Sequence, residues 1–316
     1  MIYTLTFNPT LDYVVWIGKF KLGNIHTAKS EQIYAGGKGI NVSTVLKQLE
    51  VDNTALGFVA GFTGKEIVKR LEELEIPTDF ITLDQGMSCI NLKLKSDGSA
   101  ETEVNGLGPV IEQKDLELLY EKLGQIGDGD FLVLSGSVPQ SIRDMSKLYC
   151  QICGQVKTKN VRIVVDAEGD FLRNTLGEHP FLIKPNLHEL EMLFDRELKT
   201  EEAITECAGI LQKEGAVNVL VSMAGNGALL IDEYGNILRQ EAPGGEVFNS
   251  VGAGDSMVAG FLAGLLKSHP GDHPIYSPED YQYALKFGVA AGSASAFSSA
   301  FPDKSMIEKM KNRLGI

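Results

Sequence analysis

The 316-residue sequence contains only four cysteines, five histidines and one tryptophan, and these shortages already remove several readings. Cys89, Cys150, Cys153 and Cys207 are too few for a disulfide framework in so long a chain. Cys150 and Cys153 form a CxxC, but no second CxxC and no paired histidines accompany it. Both therefore read as cysteines of a buried helix rather than as zinc ligands. His26, His179, His188, His269 and His273 show no metal-ligand spacing, and none is singled out for catalysis. Positive charge is also scarce, with 29 Lys and Arg against 42 Asp and Glu, a net charge of -13. Nucleic acid or an anionic membrane would need a basic face, so neither is expected as a partner. No apolar run approaches membrane-spanning length. The opening MIYTLTFNPT has neither the basic segment nor the apolar stretch of a signal peptide, so we expect a cytoplasmic protein that begins with a strand. No GxGxxG opens the first strand-helix unit, which leaves a dinucleotide oxidoreductase without support.

What the chain does have is an α/β pattern. Hydrophobic residues make up 43% and charged residues 22%, with enough length for one large domain and a small appendage. Residues 2–7 alternate as a strand, and Asn8-Pro9 ends it. Segment 14–34 reads as short strands away from the main sheet. CINLKLK (89–95) alternates as a strand with one wet face, and 96–99 supply a hairpin turn into 100–104. Strands are expected at 54–59, 131–134, 161–166, 181–184, 217–222 and 228–231. Helices are expected at 64–75, 112–126, 141–159, 187–194, 201–214, 255–267, 278–297 and 304–313. Such alternation means a parallel sheet covered on both faces.

The polar and glycine-rich residues fall at strand ends, where open parallel sheets bind ligands. Asp12 follows the first strand; Ser135-Gly136-Ser137, Asp166, Lys184-Pro185-Asn186 and Ser222 to Gly227 follow later ones. Two glycine-rich turns lead directly into helices. In the first, GGKGIN (36–41), Val42, Val45, Leu46 and Leu49 follow at helical spacing. In the second, VGAGDS (251–256), Gly252 and Gly254 let an anion approach the backbone amides, and Asp255 stands at the helix start. Two readings of that aspartate stand side by side: a base beside an anion hole, or an N-terminal cap beside a tight turn.

NPTLD (8–12), GGKGIN (36–41), SGSVP (135–139), KPN (184–186) with Glu189, and VGAGDS (251–256) stand in the order seen in the PfkB (ribokinase-like) carbohydrate kinases. The chain resembles their 1-phosphofructokinase and tagatose-6-phosphate kinase branch over nearly its whole length. The resemblance implies a three-layer α/β/α fold with a mostly parallel central sheet. Residues 1–11, 36–86 and 106–316 would form the core, and 12–35 and 87–105 a discontinuous β lid. It also implies ATP-dependent phosphoryl transfer to a ketohexose phosphate, fructose 1-phosphate or tagatose 6-phosphate, giving a bisphosphate. Asp255 would be the base, with the amides of Gly252, Ala253 and Gly254 holding the phosphoryl oxygens. Asp12, Gly36, Gly37, Lys38, Asn41 and Ser137 would bind the sugar. Lys184, Asn186, Ser222, Gly225 and Gly227 would lie toward ATP, and Glu189 and Asp166 would hold Mg²⁺ through water. Lids in this family can also pair between subunits as a homodimer.

The chain departs from that pattern twice. Where arginines usually precede the strand of residue 89, it has Gly86-Met87-Ser88-Cys89. A bidentate phosphate clamp is thereby lost, unless Lys38 or Lys93 supplies the charge. Position 249, often an aspartate associated with a monovalent cation, is Asn249. The lost clamp keeps a second acceptor class open, an unphosphorylated sugar or nucleoside. A sugar-binding regulator that retains the pocket is the non-enzymatic alternative.

Overall fold

The computed structural model describes residues 1–97, 102–139, 141–142, 144–269 and 275–316. The expected turn at 98–99 and His273 lie outside the described residues. Among the described residues the strands are, in chain order, β1 (Ile2–Thr6), β2 (Thr10–Ile17), β3 (Ser30–Gly36), β4 (Asn53–Ala60), β5 (Thr78–Leu83), β6 (Cys89–Ser96), β7 (Thr102–Val104), β8 (Phe131–Ser135), β9 (Arg162–Asp166), β10 (Leu182–Ile183), β11 (Asn218–Ser222), β12 (Ala228–Ile231) and β13 (Ile237–Gln240). The helices are α1 (Lys38–Gln48), α2 (Gly61–Glu73), α3 (Gln113–Leu123), α4 (Leu148–Val156), α5 (Asp170–Arg173), α6 (Leu187–Phe194), α7 (Glu201–Glu214), α8 (Ala253–Ser268), α9 (Pro278–Ala296) and α10 (Lys304–Arg313).

Nine strands form one sheet in the order β13-β12-β11-β10-β9-β8-β1-β4-β5. It is parallel from β5 to β11, and β12 and β13 add to it antiparallel. Side chains alternate between two cores, as strand geometry requires. On β8, Phe131 and Val133 join α8 and α9 on one face, while Leu132 and Leu134 join Tyr149 and Ile152 of α4 on the other. Each fully buried leucine or valine contributes about 1.5–3 kcal/mol, so helices on both faces are needed to close the sheet. The expected three-layer α/β/α architecture is therefore present.

Chain direction across this sheet creates the crevice. From β1 the order runs outward to β4 and β5 on one side and to β8, β9, β10 and β11 on the other. A ligand crevice opens at such a reversal, beyond the carboxyl ends of the strands. The turns after β8, β9, β10 and β11 lie there, while the one carrying Asp12 does not.

Asp12 requires a correction. It does not close a main-sheet strand: it lies within β2, in a separate sheet of order β3-β2-β6-β7. β2 and β6 run parallel, so the inner face presents Asp12, Val14 and Trp16 beside Lys93 and Lys95. The opposite face carries Tyr13, Val15, Ile17, Leu92 and Leu94.

Several element boundaries also differ from expectation. β5 was not anticipated, because TDFITL mixes polar and apolar residues at an exposed edge. α2 begins at Gly61, where a positive φ of 61° redirects the chain straight out of β4. The expected helix 141–159 reduces to α4 between two 3₁₀ turns. Cys150 and Cys153 lie on α4 as free thiols, with Cys153 buried. β13 pairs with β12 after a turn in which Asp232 accepts hydrogen bonds from the backbone of Tyr234 and Asn236.

Candidate active site

The second glycine turn is built by one backbone conformation. Gly252 adopts φ 78° at the cap of α8, in the left-handed region that glycine enters at little cost. A Cβ there would also press on the ring of Phe301 at 3.1 Å. Ala253, Gly254 and Asp255 then form the first turn, with their amides at the positive end of a 16-residue helix. Gly254 leaves room for a cation, since a Cβ on it would stand 3.2 Å from Lys184 Nζ.

Asp255 does not close a capping box. Its Oδ2 accepts from Asn41 Nδ2 at 2.7 Å, and the residue is 5% exposed. Asn41 lies on α1, which Gly37 starts with φ 108°. A Cβ on Gly37 would meet Thr6 Cγ2 at 2.8 Å, so this turn too is packed against β1. The two glycine turns, far apart in sequence, thus deliver a donor and an acceptor to one point.

Behind them lies an alternating cluster of charges. Lys184 Nζ is 3.2 Å and Lys38 Nζ 3.6 Å from Asp166 Oδ1. Lys184 stands at the end of β10, where Pro185 stops the strand and Asn186 caps α6. Burial first, and then the negative charge of Asp166, push the Asp255 carboxyl up to about 7, against the hydrogen bond from Asn41 and the charges of Lys38 and Lys184. Burial opposes ionisation of Asp166 as well. There Lys184 and Lys38 prevail and hold its carboxyl below the ordinary value. Burial likewise disfavours the Lys38 ammonium, but Asp166, Asp255, Glu189 and Glu168 together raise its pKa. The cluster therefore contains one firmly ionised carboxylate, one carboxyl poised near neutrality and two ammonium groups.

The remaining candidates surround this point. Glu189 and Asn186 form a reciprocal cap on α6, each accepting from the other's backbone N–H at 2.8 Å. Ser135 pairs in register with Asp166, and Gly136 N donates to Asp166 O at 3.2 Å, which sets the exposed Ser137 beyond it. Tyr149 Oη donates to Gly136 O at 3.0 Å from beneath, a support that sequence patterning did not single out. Ser222 is buried, and a 3₁₀ turn follows in which Met223 N bonds Gly227 O at 2.8 Å; Gly225 is exposed at its tip and Gly227 has φ 84°. Arg239 holds that turn from β13 by donating to the carbonyls of Asn226 and Ala228. Asn249 Oδ1 accepts from Val251 N at 3.0 Å and so shapes the approach to Gly252.

Asp12 faces the core from the small sheet. Gly36 makes the space: a Cβ there would fall 2.9 Å from Asp12 Oδ2. Thr10 Oγ1 and Asn91 Nδ2 donate to Asp12 Oδ1 at 2.7 and 3.3 Å, and Lys93 Nζ pairs with Oδ2 at 3.0 Å. Asn91 was missed in the sequence because its approach to Asp12 depends on β2 and β6 being neighbours, and Thr10, two residues before Asp12 on β2, was read only as part of a turn. One cleft is lined by Asp12, Trp16 and Lys93 on the small sheet and by Asn41, Ser295 and Phe301 on the core. Among the described residues, no group of three His, Cys, Asp or Glu is placed to hold a metal ion, and no helix is long and apolar enough to cross a membrane.

The arrangement combines a near-neutral carboxyl, a helix terminus open to anions and two cations within one crevice, which suits proton removal coupled to anion transfer. Comparison with known proteins points the same way. The family described as pfkB family carbohydrate kinase matches residues 6–301. The chain is similar to the 1-phosphofructokinase of Bacillus subtilis, 40% identical over 310 residues that cover 98% of this chain and 97% of the relative. It is 35% identical over 317 residues to the D-tagatose-1-phosphate kinase of Bacillus licheniformis, covering 100% and 99%. The crystal structure of phosphofructokinase-2 from Escherichia coli in complex with substrates and products superposes with a TM-score of 0.90 at 27% identity, covering 100% of this chain and 99% of that one.

Proposed function

This chain belongs to the pfkB family of carbohydrate kinases, and on that footing we propose that it transfers the γ-phosphoryl group of ATP to a hydroxyl of a ketohexose phosphate, with fructose 1-phosphate first among the acceptors. The observation that carries the reading is the bond from Asn41 to Asp255, which joins the two glycine turns beside the Lys184 and Lys38 cations. Asp255 takes the proton of the acceptor hydroxyl. The amides of Gly252, Ala253 and Gly254, with Lys184, stabilise the negative charge that develops beside the helix terminus. Asp12 accepts from sugar hydroxyls, and Gly36, Gly37, Lys38, Asn41 and Ser137 shape the sugar side.

The donor set fits a nucleotide. Gly254 keeps clear the space over which Lys184 reaches, at the amide-bearing start of α8. Bound ATP supplies the phosphoryl group, and Mg²⁺ offsets its charge. Lys184, Asn186, Ser222, Gly225 and Gly227 lie toward the nucleotide, and Glu189 toward the metal through water. Asp166 lies beside Lys38 and Lys184, favours the charged form of Lys38, and with Glu189 lies toward the metal through water.

The small sheet serves as a lid that excludes water as a competing acceptor, with residues 12–35 and 87–105 forming it and the rest the core. Its outer face, where Leu92 and Leu94 are half-buried, pairs with a second copy of the chain.

One observation favours a second reading. Met87 is exposed and uncharged, and Cys89 is buried, 3.1 Å from both Asn8 Oδ1 and Gly106 O, so neither offers a cation to a sugar phosphate. An unphosphorylated acceptor follows if nothing replaces the arginine. ADP release with MgATP against fructose 1-phosphate, the tagatose phosphates, fructose 6-phosphate, free hexoses and nucleosides decides between them. Turnover of ketohexose phosphates alone is expected. Turnover of unphosphorylated acceptors alone would remove the first reading, and no turnover of any acceptor, with sugar binding retained, would leave the regulator.

A further inference from the structure

The cleft between the small sheet and the core contains an ion pair whose place suggests how the acceptor is chosen. Lys93 Nζ lies 3.0 Å from Asp12 Oδ2, and both side chains are largely buried, 12% and 17% exposed. Three of the roughly four acceptor sites of Asp12 are taken, since Thr10 Oγ1 and Asn91 Nδ2 bond its other oxygen. A sugar that offers two neighbouring hydroxyls to Asp12 must displace one of these partners. Lys93, by contrast, is a three-donor ammonium paired with that carboxylate. Lys38, the other cation weighed for the missing arginine, is held against Asp166 beside Asp255, at the end of the crevice where the proton is removed. Lys93 stands at the opposite, small-sheet end, with Asn41 between the two.

Resting on the proposed sugar-phosphate kinase activity, we propose that Lys93 is the cation that grips the acceptor's own phosphate and that its exchange between Asp12 and that phosphate discriminates phosphorylated from free sugars. A phosphate dianion competes with the carboxylate for the ammonium and releases Asp12 to accept sugar hydroxyls. A free hexose brings no anion, so Asp12 remains tied to Lys93. The phosphate thus contributes twice, through its own charge-assisted bond and through the aspartate it frees.

Two readouts test this. The first is the KM for fructose 1-phosphate against that for fructose in the wild type, Lys93→Gln and Lys93→Arg, with MgATP saturating. Lys93→Gln is expected to raise the KM for fructose 1-phosphate roughly 10- to 100-fold, the worth of a hydrogen bond to a charged group, with a smaller change in kcat and a collapse of the KM ratio between the two sugars. Lys93→Arg is expected to recover most of that ratio. The second needs no turnover. Trp16, the single tryptophan, lines the same cleft under Lys95, so its fluorescence reports binding. Inorganic phosphate should weaken fructose 1-phosphate binding to the wild type and have little effect on binding to Lys93→Gln. An unchanged KM ratio in Lys93→Gln, or an equal rise for both sugars, would overturn the proposal and leave Lys93 as a support for Asp12. A wild type that phosphorylates only free sugars would overturn the activity reading itself, and this proposal with it.

Discussion

At the scale of single residues, the site depends on two carboxyl groups that share a surrounding and ionise differently. Asp166 faces two ammonium groups and stays charged, while Asp255, buried and facing Asp166, is pushed up to about 7. A base must be ionised to act, so kcat/KM of the free enzyme should fall about tenfold per pH unit below that value. The sign of each neighbour follows from its charge. Asp166→Asn removes a negative charge, favours ionised Asp255 and should move the acid limb to lower pH; Lys38→Met removes a positive one and should move it to higher pH. Opposite shifts in the two pH profiles support the coupling, and coincident profiles would refute it. Such pairing was not legible in the sequence. Asp166, Lys38, Lys184 and Asp255 were each noticed at the end of a strand or in a turn, but spacing along a chain carries no information about which charges meet across a crevice.

At the scale of elements, the position of Asp255 depends on how closely α8 can approach α9. Gly260 and Gly264 make that approach possible: a Cβ on Gly260 would lie 2.6 Å from Ala291 Cβ and 2.7 Å from Phe287 O, and one on Gly264 would lie 2.7 Å from Ala284 Cα. Gly260→Leu should therefore destabilise the fold by about 1–3 kcal/mol through overpacking, read as a lower urea midpoint at unchanged slope. A midpoint equal to the wild type would mean that the helices have room to spare. Both glycine turns and the helices after them were visible in the sequence, because glycine at a forced positive φ and a 3.6-residue apolar period are local properties. The strands lost were those with little local signal. β5 and β13 lie at the edges of the main sheet, where half-exposed residues blur the alternation. Asp12 was misplaced for a related reason, since Pro9 was read as the end of a strand and β2 resumes one residue later.

At the scale of the whole molecule, the proposed reaction places phosphoryl transfer at the main-sheet end of the crevice and the acceptor at the small-sheet end. The residues that bridge them come from two stretches of chain, Gly36 and Asn41 from one glycine turn and Lys93 from β6. If the outer face of the small sheet pairs two copies, small-angle scattering should give twice the chain mass, and Leu94→Asp should return it to one. A wild type already at one chain mass would dismiss that assembly. The central claim is that Asp255 removes the acceptor proton during phosphoryl transfer to a ketohexose phosphate. It is tested most directly by the initial rate of ADP formation from MgATP and fructose 1-phosphate in wild type and Asp255→Asn. The wild type should turn over, and the variant should lose roughly 10²- to 10⁴-fold in kcat with sugar affinity largely kept. A variant that retains near-normal kcat would contradict the account.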